Sequence, residues 1–231
     1  ELSLAEVFQL GYYWETKILL TAVKLDVFSA IDERPKSGQD IAGRLQADPP
    51  TLGLLLNALV AMKLLTKEAE LYGNSSIAIK YLVRSSPQYV GHLLLLHDAE
   101  WNNWGKLEET IRTGKRTVDR HVFETDPELG SHVLAVLNRI GQQSGPDLAK
   151  RLKLAGRERM CDLGGGAGTN AIAFCQVYPD LHATVFDLPE TLKLTERTVK
   201  EAGLESRITL HPGDFNRDPL GGPYDVVLMS D

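Results

Sequence analysis

Three short runs in the C-terminal half of the chain carry residue types able to hold a nucleoside. The first is Gly164-Gly165-Gly166-Ala167-Gly168, set between a strand pattern ending at Leu163 and a helical pattern opening at Thr169. Glycines tolerate positive φ and allow close approach to the backbone, and a helix start offers N–H groups without partners. The second is Asp187, which ends the next strand pattern 23 positions after Gly164. A carboxylate there can accept hydrogen bonds from both hydroxyls of a ribose. The third is Asp214-Phe215, just past a third strand pattern, where an acid can take an adenine amine and a ring can lie against the base. Gly166-x-Gly168-x-x-Ala171 also fits the dinucleotide fingerprint with alanine in third place, so the glycines and Asp187 specify only an adenosine-type ligand.

The elements that must position these residues alternate. Met160–Leu163, Ala183–Asp187, Ile208–Leu210 and Asp225–Met229 read as strands, with helices at Thr169–Tyr178 and Pro189–Ala202. That alternation implies a parallel, doubly wound sheet. Upstream the pattern is helical. Residues 1–33 carry apolar side chains on both faces at helical spacing and read as one helix that needs a partner surface. Ser37-Gly38-Gln39-Asp40 opens a further helix, Asp48-Pro49-Pro50 opens another that runs to about Leu65, and Leu71–Asn74 reads as a turn with a short strand. Helix, helix and a small β element form a winged-helix pattern. Its second helix is rich in leucine with Lys63 as its cation, so the donors that a DNA groove requires are missing. Trp101 and Trp104 share a helix face, and Asp126-Pro127 opens a long helix ending near Leu152.

Composition bounds the rest. With 231 residues, 43% hydrophobic and 24% charged, the chain is one large globular domain or two smaller ones, not a disordered protein. A net charge of −6 disfavours nucleic-acid partners. No apolar run approaches the roughly 20 residues that cross a bilayer, and no basic-then-apolar leader follows Glu1. The two cysteines, Cys161 and Cys175, lie outside any zinc or CxxC spacing. They read as buried thiols of a cytoplasmic protein, and no metal site is expected.

Together with Asp162, directly before the glycines, the three runs favour S-adenosylmethionine over NAD. That ligand has no phosphate to cradle, and its carboxylate suits a helix N-terminus. Cys161-Asp162-Leu163-Gly164-Gly165-Gly166-Ala167-Gly168, Val185-Phe186-Asp187-Leu188-Pro189 and Gly213-Asp214-Phe215 resemble motifs of the S-adenosylmethionine-dependent small-molecule O-methyltransferases. The similar branch carries an N-terminal dimerising winged-helix domain and includes plant phenolic and hydroxyindole enzymes. Thr21–Ile31, Leu55–Leu65 and Trp101-x-x-Trp104 extend the resemblance over essentially the whole chain.

The resemblance implies a mainly α winged-helix dimerisation domain at 1–125. A doubly wound, Rossmann-like α/β methyltransferase domain would follow at 126–231, with only its first four strands. It implies S-adenosylmethionine as cofactor, lined by Gly164, Gly165 and Gly166, with Asp187 on the ribose, Leu188 packed on the adenine, and Asp214 and Phe215 flanking the base. Ser230 stands where the family places a cofactor-contacting residue, often lysine. His97, Trp101, Trp104 and Asn138 come from helices that cover the substrate pocket in the family.

The activity implied is in-line methyl transfer to a hydroxyl of a small aromatic molecule. A phenol titrates near ~10, so a base is needed to remove its proton during attack. In the family that base is a histidine shortly after the fourth strand. None of His92, His97, His121, His132, His182 and His211 occupies that position. No catalytic residue is therefore assigned, and the 231-residue chain is expected to lack the base and to be inactive alone. A homodimer without nucleic-acid or membrane partners is expected. Three alternatives stay open: a non-catalytic cofactor-binding or interaction protein, a winged-helix DNA regulator, and an NAD enzyme.

Overall fold

The computed structural model describes residues 2–115 and 122–230, so His121 and Asp231 lie outside the described residues. The chain divides into two compact units, Glu1–Val133 and Leu134–Asp231.

The first unit opens on three helices where the periodicity suggests one. Helix α1 (Leu4–Leu10) is started by Ser3 and Glu6, which cap each other's backbone N–H groups. It stops at Gly11, whose N–H turns back to Phe8 O at 3.0 Å. Helix α2 (Tyr13–Lys24) then yields to α3 (Val27–Ile31) through Asp26, which adopts a left-handed φ of 60°. Apolar residues continue through both breaks in the sequence, so the periodicity alone does not reveal them.

After β1 (Lys36–Ser37) comes α4 (Gly38–Leu45), capped by Ser37 Oγ accepting from Asp40 N, and then α5 (Pro49–Ala61), capped by Asp48. Helix α5 ends before Leu65 because Lys63 takes a φ of 61° and turns the chain into β2 (Leu65–Glu68). That strand pairs antiparallel with β3 (Leu71–Asn74), which also pairs with β1. Val23, Phe28, Ile31, Ile41, Leu52, Leu56 and Leu59 fuse these helices into one core. Helices α6 (Ser76–Tyr81), α7 (Gly91–Trp104), α8 (Leu107–Thr113) and α9 (Val122–Thr125) follow. The long α10 (Pro127–Leu152) begins in the first unit and continues in the second.

The second unit is built on a parallel sheet. Its strands are β4 (Arg159–Leu163), β5 (His182–Asp187), β6 (Ile208–Pro212) and β7 (Val226–Leu228), in the spatial order β6-β5-β4-β7. Helices α11 (Thr169–Val177) and α12 (Pro189–Glu201) make the crossovers. Phe174, Cys175, Leu192 and Val199 from these helices meet Met160, Ala183 and Val185 on one face. Cys161, Leu163 and Phe186 form the other face with Leu220 and Tyr224. Alternate residues of β4 and β5 thus supply both faces, as the period-2 pleat requires. Strand order runs outward from β4 to β5 and β6, then reverses to place β7 on the far side of β4. This reversal opens a crevice at the C-terminal ends of β4 and β7, the usual ligand position in such sheets. Among the described residues, no helix is long and apolar enough to cross a membrane.

Candidate functional site

The glycine run leaves β4 at that crevice. Gly164, Gly166 and Gly168 hold φ values of 68°, 55° and 75°, which L side chains rarely adopt. Gly164 N donates to Phe186 O at 2.8 Å, extending the β4–β5 ladder by one bond before the chain turns. Gly165 is needed for a different reason. A Cβ there would lie 2.8 Å from Asp162 Cγ and 2.9 Å from Val185 Cγ1, so its bare face packs into the protein. Gly165→Ala is expected to cost about 1–3 kcal/mol, the usual range for overpacking a filled site. Urea unfolding would measure it, and an unchanged midpoint would refute it.

Asp187 ends β5 with its carboxylate fixed by two backbone donors. Oδ2 accepts from Gly166 N at 2.8 Å and Oδ1 from Leu188 N at 2.7 Å. Each oxygen keeps a second lone pair for an incoming hydroxyl. Leu188 is 38% exposed and Phe215 is 50% exposed, and Phe215 Cε1 lies 3.9 Å from where a Gly164 Cβ would stand. Both follow the C-terminal ends of neighbouring strands, since Asp187 pairs in register with Pro212. Asp214 is engaged locally: Oδ1 accepts from Asn216 N and Nδ2 at 2.9 Å, and Oδ2 faces Arg217 at 3.4 Å. The acid expected at the base edge is thus also the closing residue of its own turn.

Asp162 lies wholly buried under the loop. Oδ2 accepts from Ala171 N at 3.1 Å in the first turn of α11, while Oδ1 has no hydrogen-bond partner among the described residues. Burial, opposed by the Ala171 bond and reinforced by the nearby Asp187 charge, pushes its pKa up to about 6.

Asn138 and Ser230 both join α11. Asn138 Oδ1 accepts from Thr169 Oγ1 at 2.6 Å, and Ser230 Oγ accepts from Asn170 Nδ2 at 2.9 Å. Helix α10 comes this close because Gly141 and Gly145, one turn apart, face Thr169 and Ala173; a Cβ at either would stand 2.9 Å from its neighbour. His97, Trp101 and Trp104 belong to α7 in the first unit. Asp98 on that helix binds Lys17 and Lys24 at 2.6 and 2.7 Å, and Lys17 Nζ covers the Trp101 ring at 4.8 Å. Trp104 is 71% exposed. His182 starts β5, at the N-terminal end of an interior strand and away from the loop, and His211 packs on Phe186 with ring centres 4.9 Å apart.

Sequence reasoning overlooked Thr195 and Thr198 of α12. Their hydroxyls donate to Gly166 O and Ala167 O, roughly 30 residues back along the chain. The available signal was two threonines at helical spacing after the Asp187 motif.

An open parallel sheet with a glycine loop and an acid-terminated strand at its switch point defines a nucleoside-binding α/β domain. The chain belongs to the O-methyltransferase family: the family's methyltransferase domain matches residues 104–231 and its dimerisation domain residues 8–84. The N,N-dimethyltransferase OxyT of Streptomyces rimosus is 31% identical over 93% of this chain and 65% of its own length. The 3-hydroxy-5-methyl-1-naphthoate 3-O-methyltransferase of Streptomyces sahachiroi is 31% identical over 94% of this chain and 64% of its own. The chain therefore spans about two-thirds of these relatives, just under that share in each. The O-methyltransferase NcsB1 of neocarzinostatin biosynthesis was solved with S-adenosylmethionine and 2-hydroxy-5-methyl naphthoic acid. It shares the fold at a TM-score of 0.72, with 23% identity over 92% of this chain and 68% of its own.

Proposed function

We propose that the chain binds S-adenosylmethionine at the C-terminal edge of its sheet, and that the protein transfers the methyl group to a hydroxyl of a small aromatic molecule. One observation carries this: the Asp187 carboxylate is held against the glycine loop while Leu188 and Phe215 stay open to solvent beside it. The residues fit the ligand. Asp187 accepts from the ribose hydroxyls, Leu188 and Phe215 cover the faces of the base, and Asp214 stands at its amine edge. Gly164 and Gly166 give the ligand close access to the backbone, and Gly165 lets Asp162 sit beneath them. Ser230 offers its hydroxyl proton, since its oxygen already accepts from Asn170. When bound, S-adenosylmethionine supplies an electrophilic methyl group on a sulfonium.

His97, Trp101, Trp104 and Asn138 are the acceptor-binding candidates of this reading, and the naphthoate relative supports a flat aromatic acceptor. The reading assigns no catalytic base. It places the functional division at 125 and 126, where Asp126 caps α10 through Leu129 N at 3.0 Å. The buried free thiols Cys161 and Cys175 fit a reducing, cytoplasmic setting.

Calorimetric titration with S-adenosylmethionine and, separately, with NADH tests the cofactor. Binding of the first alone is expected; binding of NADH alone overturns the reading. Incubation with radiolabelled methyl donor and either a hydroxynaphthoate or an aminonaphthalene then separates oxygen from nitrogen as acceptor atom, a distinction the OxyT relationship makes necessary.

The partner in this reading is a second copy, joined through α1 and the start of α2. Leu4, Phe8, Leu10 and Trp14 are 70%, 60%, 78% and 48% exposed, and α1 buries no residue in its own unit. Each such side chain gains about 1.5–3 kcal/mol when covered. Leu4→Asp with Phe8→Asp is thus expected to weaken the dimer by at least ~10²-fold while leaving the melting temperature of the monomer unchanged. Sedimentation velocity reads the outcome, and a variant that stays dimeric refutes this interface.

A further inference from the structure

We propose that Thr195 and Thr198 are positioning residues for the cofactor loop, holding two successive loop carbonyls so that the glycine turn keeps its ligand-ready shape. The inference rests on the reading that this loop binds an adenosyl ligand. Thr195 Oγ1 lies 2.6 Å from Gly166 O and 3.3 Å from Thr191 O. A hydroxyl has one proton, so the shorter contact takes it, and the ordinary bond to the preceding helical turn is given up. Thr198 Oγ1 reaches Ala167 O in the same manner, with Thr195 O at 2.9 Å and Leu194 O at 3.4 Å as the helical alternatives. Three positions apart, the two threonines lie on one face of α12.

The arrangement has consequences for the loop. Gly166 is gripped through both of its backbone groups: its N–H by Asp187 and its carbonyl by Thr195. Because the peptide unit is planar and trans, turning the Gly166 carbonyl toward α12 turns the Ala167 N–H away from it. Thr195 is completely buried, and a Cβ on Gly168 would stand 2.9 Å from Thr195 Cγ2, so the loop rests directly on this side chain. Loss of the hydroxyl leaves the part-buried Gly166 carbonyl without this donor and frees the 166–167 peptide to rotate. Gly166, whose N–H orients Asp187, is then held on that side alone.

Valine keeps the shape of threonine and removes the donor, while serine keeps the donor. Thr195→Val, Thr198→Val, the double variant and Thr195→Ser would be titrated with S-adenosylhomocysteine by calorimetry, using the whole chain. Melting temperature and amide hydrogen exchange at Ala167 and Gly168 would be followed alongside. Each valine variant is expected to bind about tenfold more weakly and the double variant about a hundredfold, with Thr195→Ser within about threefold of the wild type. Exchange at Gly168 should rise in the valine variants without ligand. Wild-type affinity and exchange in these variants overturn the inference, and so does a lowered melting temperature with unmoved affinity. Should the wild-type chain fail to bind, the cofactor reading falls, and Gly168 exchange still decides whether the threonines hold the loop. If Thr195→Val does not fold, the half-buried Thr198 carries the same comparison.

Discussion

Replacing Asp187 with alanine is expected to lower the affinity for S-adenosylhomocysteine by roughly 10²- to 10⁴-fold, because hydrogen bonds to a charged group contribute about 1.5–3 kcal/mol each. Two such bonds to a ribose disappear together. The loss has a second source in the protein itself, since Gly166 N and Leu188 N lose their acceptor in the same substitution. Asp187→Asn separates these sources. Its amide oxygen can still accept one bond, but its NH2 group would confront one of the two N–H groups, so an intermediate affinity is expected. Calorimetry at constant pH measures the series. A loss below about threefold for Asp187→Ala would remove this residue from the ligand's contacts, because even one neutral hydrogen bond is worth more than that when its partner stays buried.

The second large effect concerns stability and pH. Asp162 titrates at about 6 in the folded protein, against 3.8 for an unperturbed aspartate. Between those values the folded state holds a proton that the unfolded state has released. Stability attributable to Asp162 therefore falls as pH rises through this window and levels off above it. The full cost at neutral pH is roughly 3 kcal/mol, the free energy equivalent of that rise in pKa. Asp162→Asn keeps an acceptor for Ala171 N and cannot ionise, so its stability relative to wild type should increase steadily from about pH 4 to about pH 7.

The difference between the two proteins is the informative quantity, because Asp98 and Asp225 act in the opposite sense. Hydrogen bonds from Lys17 and Lys24 lower the pKa of Asp98, and backbone N–H groups of Glu158 and Arg159 lower that of Asp225. Both contribute stability that is lost as pH falls through their folded-state pKa values. Urea unfolding across the range checks the prediction, and a pH-independent difference between wild type and Asp162→Asn would contradict it. The two aspartates are also coupled: the Asp187 charge is one of the causes holding Asp162 up, so Asp187→Ala should shift the same transition to lower pH.

The strand and helix alternation of the second unit was legible because it rests on local rules. Pleat periodicity marks β4 and β5, and Pro189 at the start of α12 marks its first turn. The same rules failed at residues 1–33, where apolar spacing continues through Gly11 and the left-handed Asp26 although the backbone breaks at both. They also overran α5, since nothing in the composition around Lys63 announces its positive φ. At the site, Asp187 was legible as a carboxylate closing a strand. Asp214 was legible only as an acid, and its use in the turn with Asn216 and Arg217 depends on how residues 214–218 fold back.

The sequence by itself determined the chemistry available: positive-φ glycines after one strand, a carboxylate ending the next, and an aromatic residue after the third. These follow from residue type and near neighbours, which chain order fixes. Only the tertiary structure decided which glycine serves which purpose. Gly165 is glycine because Asp162 and Val185 fill its side-chain space, whereas Gly166 is held between Asp187 and Thr195. Val185, Asp187 and Thr195 stand about 20–30 residues from the glycines they meet, and no local propensity encodes such a distance. They meet because strand order and helix packing bring the end of β5 and one face of α12 under a single turn.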